Sequence, residues 1–263
     1  MPEVGTTTFR PPFVPVTIGT LAGREIGTLF DPVRETPIGD WHEKAGAVME
    51  PVGLWRRPSH YLRAGESADA AIARECRTVR EHAGMLDAST LGKIELVGRD
   101  ALTLLNRIYT NGWDSLAVGQ CRYGLMLRDN GVVFDDGVCA RLAEHHYVMS
   151  TTSGGAMEVE HWLLEWLQCE WRDLAVFVTP VTAQWATIAV AGPRARDVLA
   201  SCKSDIDFSA SAFPHLAVRC GHFADVPARV FRVSFTGELS YEVNVPARFG
   251  RALWEFLLEH GAP

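Results

Sequence analysis

Asn130-Gly131 lies between two strand-like runs, Tyr123-Gly124-Leu125-Met126-Leu127-Arg128 and Val132-Val133-Phe134-Asp135-Asp136. An Asn-Gly pair accepts the two positive φ values of a type I′ turn, so the segment reads as an antiparallel hairpin. A two-residue loop sets Leu127 opposite Phe134, Leu125 opposite Asp136 and Tyr123 opposite Val138, with all six side chains on one sheet face. Asp136 is the only carboxylate among them. Burial there would be costly and would raise its pKa unless hydrogen bonds compensate. The group therefore either handles protons or caps a loop by accepting from backbone amides. Asp135 points the other way, towards Met126 and Val133, and is the weaker candidate.

A second hairpin runs from Phe231 to Val243 and turns at Thr236 to Leu239. With Phe235 opposite Ser240, Glu242 faces Val233 and lies in a row with Phe231 and Phe235. A carboxylate beside aromatic faces can hold a planar heterocycle that offers two adjacent N–H donors. An exposed glutamate on an edge strand would fit the same pattern.

The chain has 263 residues, 47% apolar and 22% charged, enough for a globular protein with one large or two small cores. Residues 1–58 show no periodic segment and are rich in proline, so they are expected to form an extended lead. Phe9, Phe13, Phe30, Trp41 and Trp55 are too many aromatics for a free tail and imply docking. A helix is predicted over Ala68 to His82, with Ala71, Ile72, Cys76 and Val79 on its apolar stripe. Strand Lys93 to Val97 then ends in Gly98 and a helix, and strand Thr187 to Ala191 ends in Gly192 and another. Ala101 and Leu105 recur as Ala195 and Leu199, an offset of 94 residues that suggests two related α+β units. Between them lie strands at 122–128, 132–142, 147–152 and 176–181, and a Trp-rich helix at 156–171. Strands at 230–235 and 241–245 and a helix at 249–260 complete the pattern. The expected fold is α+β, mainly antiparallel sheets backed by helices.

A net charge of −7 disfavours nucleic acid and anionic membranes as general partners. No apolar run reaches the ~18 residues of a membrane span, and the first residues lack a signal-peptide pattern, so a cytoplasmic location is expected. Six scattered cysteines form no metal-binding pair and read as mostly buried core residues; no metal is expected. Serine-hydrolase, P-loop, zincin and dinucleotide-binding signatures do not appear. His145-His146 reads as a solvated turn, and Trp162, Trp166 and Trp171 as helix packing.

The two hairpins and the order of elements around them resemble the aminomethyltransferase family typified by the glycine cleavage T-protein. The lead, through Phe9-Arg10-Pro11-Pro12, Asp31-Pro32-Val33-Arg34-Glu35-Thr36-Pro37 and Trp41-His42, is similar to the C-terminal part of sarcosine oxidase alpha subunits. The resemblance implies a first folate-binding subdomain over 59–97 and 176–263, incomplete, with a second inserted at 98–175 and a third missing. It implies tetrahydrofolate as the ligand, with Asp136 near the reacting nitrogens and Tyr123 beside it. Glu242 would hold the pterin, Phe235 would pack on it, and Glu238 would shape the turn. The implied activity is that of a one-carbon acceptor module. The imine formed from sarcosine at a flavin on other chains or domains would be captured as methylenetetrahydrofolate, releasing glycine. Two alternatives share the fold: a non-catalytic scaffold docking onto other subunits, and another folate-dependent demethylase.

Overall fold

A computed structural model describes residues 34–261. The expected lead ends earlier than residue 58. Strand β1 (Arg34–Glu35), a helix Gly39–Lys44 and the antiparallel pair β2 (Ala47–Val52) and β3 (Trp55–Tyr61) already occupy its second part. Its aromatics explain why: Trp41 packs edge-on against Trp254 at 5.5 Å, and Trp55 is buried. Pro58 fits a strand because it sits beside a register shift between Val48 and Met49. Phe9, Phe13, Phe30 and the Phe9-Arg10-Pro11-Pro12 motif lie outside the described residues.

The helix Ala68–Glu81 follows, its N-terminal amide of Ala70 donating to the Ser67 hydroxyl. Of its predicted apolar stripe only Ala71 is buried; Ile72 and Cys76 are exposed. Then come β4 (Gly84–Asp87), β5 (Gly92–Val97), a helix Ala101–Ile108, β6 (Cys121–Leu127), β7 (Val133–Ala143), β8 (His146–Thr151), a helix Ala156–Cys169 and β9 (Phe177–Pro180). A second series runs through β10 (Trp185–Ala191), a helix Ala195–Ser201, β11 (Val218–Phe223), β12 (Val226–Phe231), β13 (Ser240–Pro246) and a helix Gly250–Glu259. The fold is α+β with antiparallel sheets, as expected.

The two series build the same sheet twice, in the orders β6-β7-β8-β5-β9 and β11-β12-β13-β10-β4. In each, a strand leads through a helix into a three-strand meander, and the last meander strand returns beside the first strand. The register repeats as well: Glu95 pairs with Val148, and Ala189, 94 residues on, pairs with Glu242. Tyr147 and Tyr241 are the matching fully buried tyrosines. Strands β5 and β9, from outside the 98–175 segment, bond into the same sheet as its strands, so that sheet draws on residues 92–180.

Both joining glycines have positive φ, 149° at Gly98 and 121° at Gly192, and each carbonyl accepts from the first helical amide, that of Ala101 (3.1 Å) or Ala195 (3.0 Å). A Cβ on Gly192 would lie 2.5 Å from the carbonyl oxygens of Val79 and His82. Backbone cannot yield there as a flexible side chain would, so Gly192→Ala is expected to cost about 2–3 kcal/mol in urea denaturation. A loss under about 0.5 kcal/mol would mean that the helix Ala68–Glu81 is free to shift away.

Candidate functional site

Each sheet buries one face under its own helices. Ile94, Leu96, Met126, Tyr147 and Met149 pack with Leu104, Leu105, Val159 and Leu163 in one core. Ile188, Val190, Val230, Tyr241 and Val243 pack with Val198, Leu199, Leu253 and Trp254 in the other. The opposite faces meet in a third cluster through Cys121, Ala140 and Val148 from one sheet and Val218, Phe231 and Val233 around the other. Backbone bonds from Cys121 to Leu216 (2.7 Å) and from Val218 to Gly119 (2.9 Å) stitch the two sheets together.

Between the inner faces lies a small cavity of about 30 Å³. Its walls come from equivalent positions of the two repeats: Leu91 and Trp185, Lys93 and Thr187, Val148 and Glu242, Ser150 and Asn244, each pair 94 residues apart. Strand register adds Val138 and Arg229. The duplication has thus diverged at this cavity, with lysine and valine on one side matched by threonine and glutamate on the other.

Glu242 pairs in register with Phe231, and both line the cavity. Burial raises its carboxyl, and the charge of Lys93 partly offsets that. Lys93 is 6% exposed, and its ammonium donates to the carbonyls of Leu91 (2.8 Å) and Ser89 (3.2 Å). Burial pulls it down to about 8, against the opposing charges of Glu242 and Asp87. Arg229 lies 4.2 Å over the Trp185 ring and donates to Glu95 Oε1 at 2.6 Å. His146, expected in a solvated turn, instead opens β8 with its Nε2 3.2 Å from the other Glu95 oxygen.

The predicted row of Phe231, Phe235 and Glu242 does not form. Strand β12 ends at Phe231, because the next residue turns its amide to the Ala217 carbonyl (2.9 Å), and residues 232–239 become a loop. Glu242 therefore faces Phe231 and not Val233, and Phe235 stands 93% exposed. Glu238 does hold that loop. It accepts from Arg80 at 2.6 Å, and a hydrogen bond from Thr236 keeps its carboxyl below the usual range.

The first hairpin forms, with Leu125 opposite Asp136 and Tyr123 opposite Val138. A bulge after Met126 sets Leu127 against Val133, so Phe134 is displaced from its expected partner and packs on Trp162 at 4.8 Å. The face carrying Asp136 is not desolvated: Tyr123 is 53% exposed and Asp136 itself is only half-buried. Tyr123 donates its hydroxyl to Asp136 at 2.8 Å, and this bond raises the phenol. Amide capping falls to Asp135 instead. Buried, it accepts from the amides of Asp136 (2.7 Å) and Thr152 (3.0 Å) and from the Thr152 hydroxyl (2.8 Å). Asp136 and Tyr123 lie on the same sheet face as the cavity wall, Asp136 two residues from Val138.

The sequence did not single out Lys93, Trp185 or Arg229, and it ranked Asp135 below Asp136. The 94-residue offset, extended from the glycines to neighbouring strand positions, would have found the first two. Among the described residues no cluster of metal ligands occurs, and no helix is long and apolar enough to cross a membrane. Cys76, Cys169 and Cys220 are exposed, contrary to expectation, whereas Cys121, Cys139 and Cys202 are buried. The tryptophan stripe packs as expected, with Trp166 and Trp171 stacked at 4.7 Å.

Fold and cavity together define a duplicated α+β unit with a cavity between the repeats. The chain belongs to the GCVT N-terminal domain family, which matches residues 38–263. It is 52% identical over 254 residues to the sarcosine oxidase subunit alpha of Corynebacterium sp. (strain U-96), covering 96% of this chain and 26% of that subunit. An aminomethyltransferase of Symbiobacterium thermophilum is 34% identical over 87% of this chain and 59% of its own length. Among solved structures, the glycine cleavage system aminomethyltransferase T from Bartonella henselae superposes with a TM-score of 0.73 at 26% identity, covering 86% of this chain and 57% of that one. The chain therefore spans about a quarter of the sarcosine oxidase alpha subunit it matches.

Proposed function

We propose that this chain is the tetrahydrofolate-binding one-carbon acceptor module of a sarcosine oxidase-type enzyme. The observation that carries the reading is the Glu242 carboxyl, drawn into a cavity between the repeats and lined by Phe231 and Trp185. A buried carboxylate accepts two parallel N–H bonds well, and the amino group and ring N–H of a pterin offer that pair. The aromatic walls suit its flat ring. Phe235, 93% exposed, does not line this cavity.

Bound tetrahydrofolate would supply the nucleophilic nitrogens that take up a methylene group. The donor would be the imine of sarcosine, made at a flavin on a partner subunit or another domain, and the products methylenetetrahydrofolate and glycine. Asp136, oriented by Tyr123, would touch the reacting nitrogens and orient them or relay a proton.

Anaerobic calorimetric titration of tetrahydrofolate into the purified chain tests the reading. Saturable binding is expected, and Asp136→Ala should weaken it only about fivefold, the worth of one partly solvated hydrogen bond, ~1 kcal/mol. Absence of binding to the folded chain would refute the proposal.

A further inference from the structure

The duplication makes one feature of the cavity conspicuous. At the position where the second repeat carries Thr187, the first carries Lys93; where the first carries Val148, the second carries Glu242. A lysine on one sheet and a glutamate on the other thus line the same space, each replaced by an uncharged residue in the opposite repeat. Among the described residues, neither has a hydrogen-bonded ion partner. The ammonium is fixed by the carbonyls of Ser89 and Leu91, which take two of its three protons.

We propose that Lys93 is a positioning residue for Glu242: anchored on one sheet, its charge keeps the carboxylate on the facing sheet ionised and available to a ligand in the cavity they share. Other charged groups nearby do not perform this task. The Arg229 guanidinium is engaged by Glu95, and Asp87 is bonded to His42 and Ser89. The Cys121 thiol, from β6, is pushed up to about 12 by burial and by the Glu242 carboxylate, so it stays neutral. With Lys93 charged, burial of Glu242 is opposed by one cation; without it, nothing on the facing sheet opposes protonation, and a protonated carboxyl cannot accept two N–H bonds.

The ligand part of this inference rests on the tetrahydrofolate reading, but its core is measurable without any ligand. Carboxyl carbon NMR of ¹³C-glutamate-labelled protein, with the Glu242 signal assigned by its absence in Glu242→Gln, follows that group through a pH titration. Lys93→Met and Lys93→Gln both remove the charge, and the glutamine amide can still donate to the backbone carbonyls. In both variants Glu242 is expected to hold its proton at least about tenfold more tightly than in the parent chain. An unchanged titration in either folded variant overturns the proposal. In anaerobic calorimetry with tetrahydrofolate, both variants should bind about tenfold more weakly at pH 6, with a smaller deficit at pH 8. There Lys93 of the parent chain has itself begun to lose its proton. An equal loss at both pH values would mean that Lys93 only packs, and overturns the positioning role. If the parent chain binds no tetrahydrofolate, the folate reading alone falls, and the NMR titration still decides the role of Lys93.

Discussion

Glu242→Ala is expected to lower tetrahydrofolate affinity by at least about 100-fold, the largest effect of any single substitution in the cavity. Each hydrogen bond to a charged acceptor contributes about 1.5–3 kcal/mol, so losing a pair costs ~3 kcal/mol or more, and 1.4 kcal/mol is a factor of ten. The truncation also leaves Lys93 facing a cavity without its opposing charge, which costs stability. Glu242→Val separates these effects, because the first repeat already holds Val148 at the same register position against the same kind of strand. Calorimetry beside urea denaturation distinguishes them: binding lost in both variants, with a cooperative unfolding transition retained, supports the carboxylate as the recognition group. A valine variant that binds within about threefold of the parent would place the ligand elsewhere.

The hairpins show what sequence could and could not convey. The first one forms with the expected pairs Tyr123–Val138 and Leu125–Asp136, but not through the expected type I′ turn: only Gly131 takes a positive φ, and Arg128 bonds Val132 across a three-residue loop. A two-residue loop could not reveal the bulge after Met126, which takes up the one-residue shift that the three-residue loop introduces; Phe134 packs on Trp162, on a helix more than twenty residues away. The same long-range packing decided which of Asp135 and Asp136 is buried: Thr152, from beyond β8, supplies the donors that make Asp135 tolerable inside. In the second hairpin Thr236 to Leu239 has no tight-turn signature. Pairing by alternation alone therefore put Glu242 two residues out of register, and Phe231 faces it in place of Val233. Glu242 was legible as a carboxylate among aromatics, but Lys93 was not. Its meaning comes from the facing sheet, across a cavity that it shares with a residue about 150 positions away. The lead failed for the related reason that prolines signal local irregularity but say nothing of what Trp41 will find at Trp254.

That N-terminal segment carries the largest expected effect on stability. His42 is wholly buried, with Nδ1 2.6 Å from the Tyr61 hydroxyl and Nε2 3.1 Å from Asp87 Oδ2, and its ring lies edge-on to Trp254 at 4.7 Å. With Asp87 ionised, Nε2 carries the proton and Nδ1 accepts from Tyr61, whose hydroxyl burial raises further. The helix Gly39–Lys44, strand β3 and the edge strand β4 are thereby tied together through one imidazole. Asp87→Ala would leave the Nε2 proton and the Ser89 amide, 3.0 Å from the other carboxyl oxygen, without partners in a dry interior. Breaking a buried pair in this way costs about 3–5 kcal/mol. Burial alone would raise the Asp87 carboxyl, but hydrogen bonds from His42, Ser89 and Thr36 overcome it and hold the group below the usual carboxylate range. A carboxyl depressed in the folded state contributes stability that is present above its unfolded value of about 3.9 and is lost as pH falls through the folded one. Urea denaturation followed by tryptophan fluorescence should therefore show the parent chain losing stability as pH falls below about 5. Asp87→Asn, with no charge to lose, should be less stable at pH 7 and flatter across that acid limb. Equal slopes in the two proteins would move the acid sensitivity away from this clamp, and a cost below about 1 kcal/mol for Asp87→Ala would show that the N-terminal segment is held by its tryptophans alone.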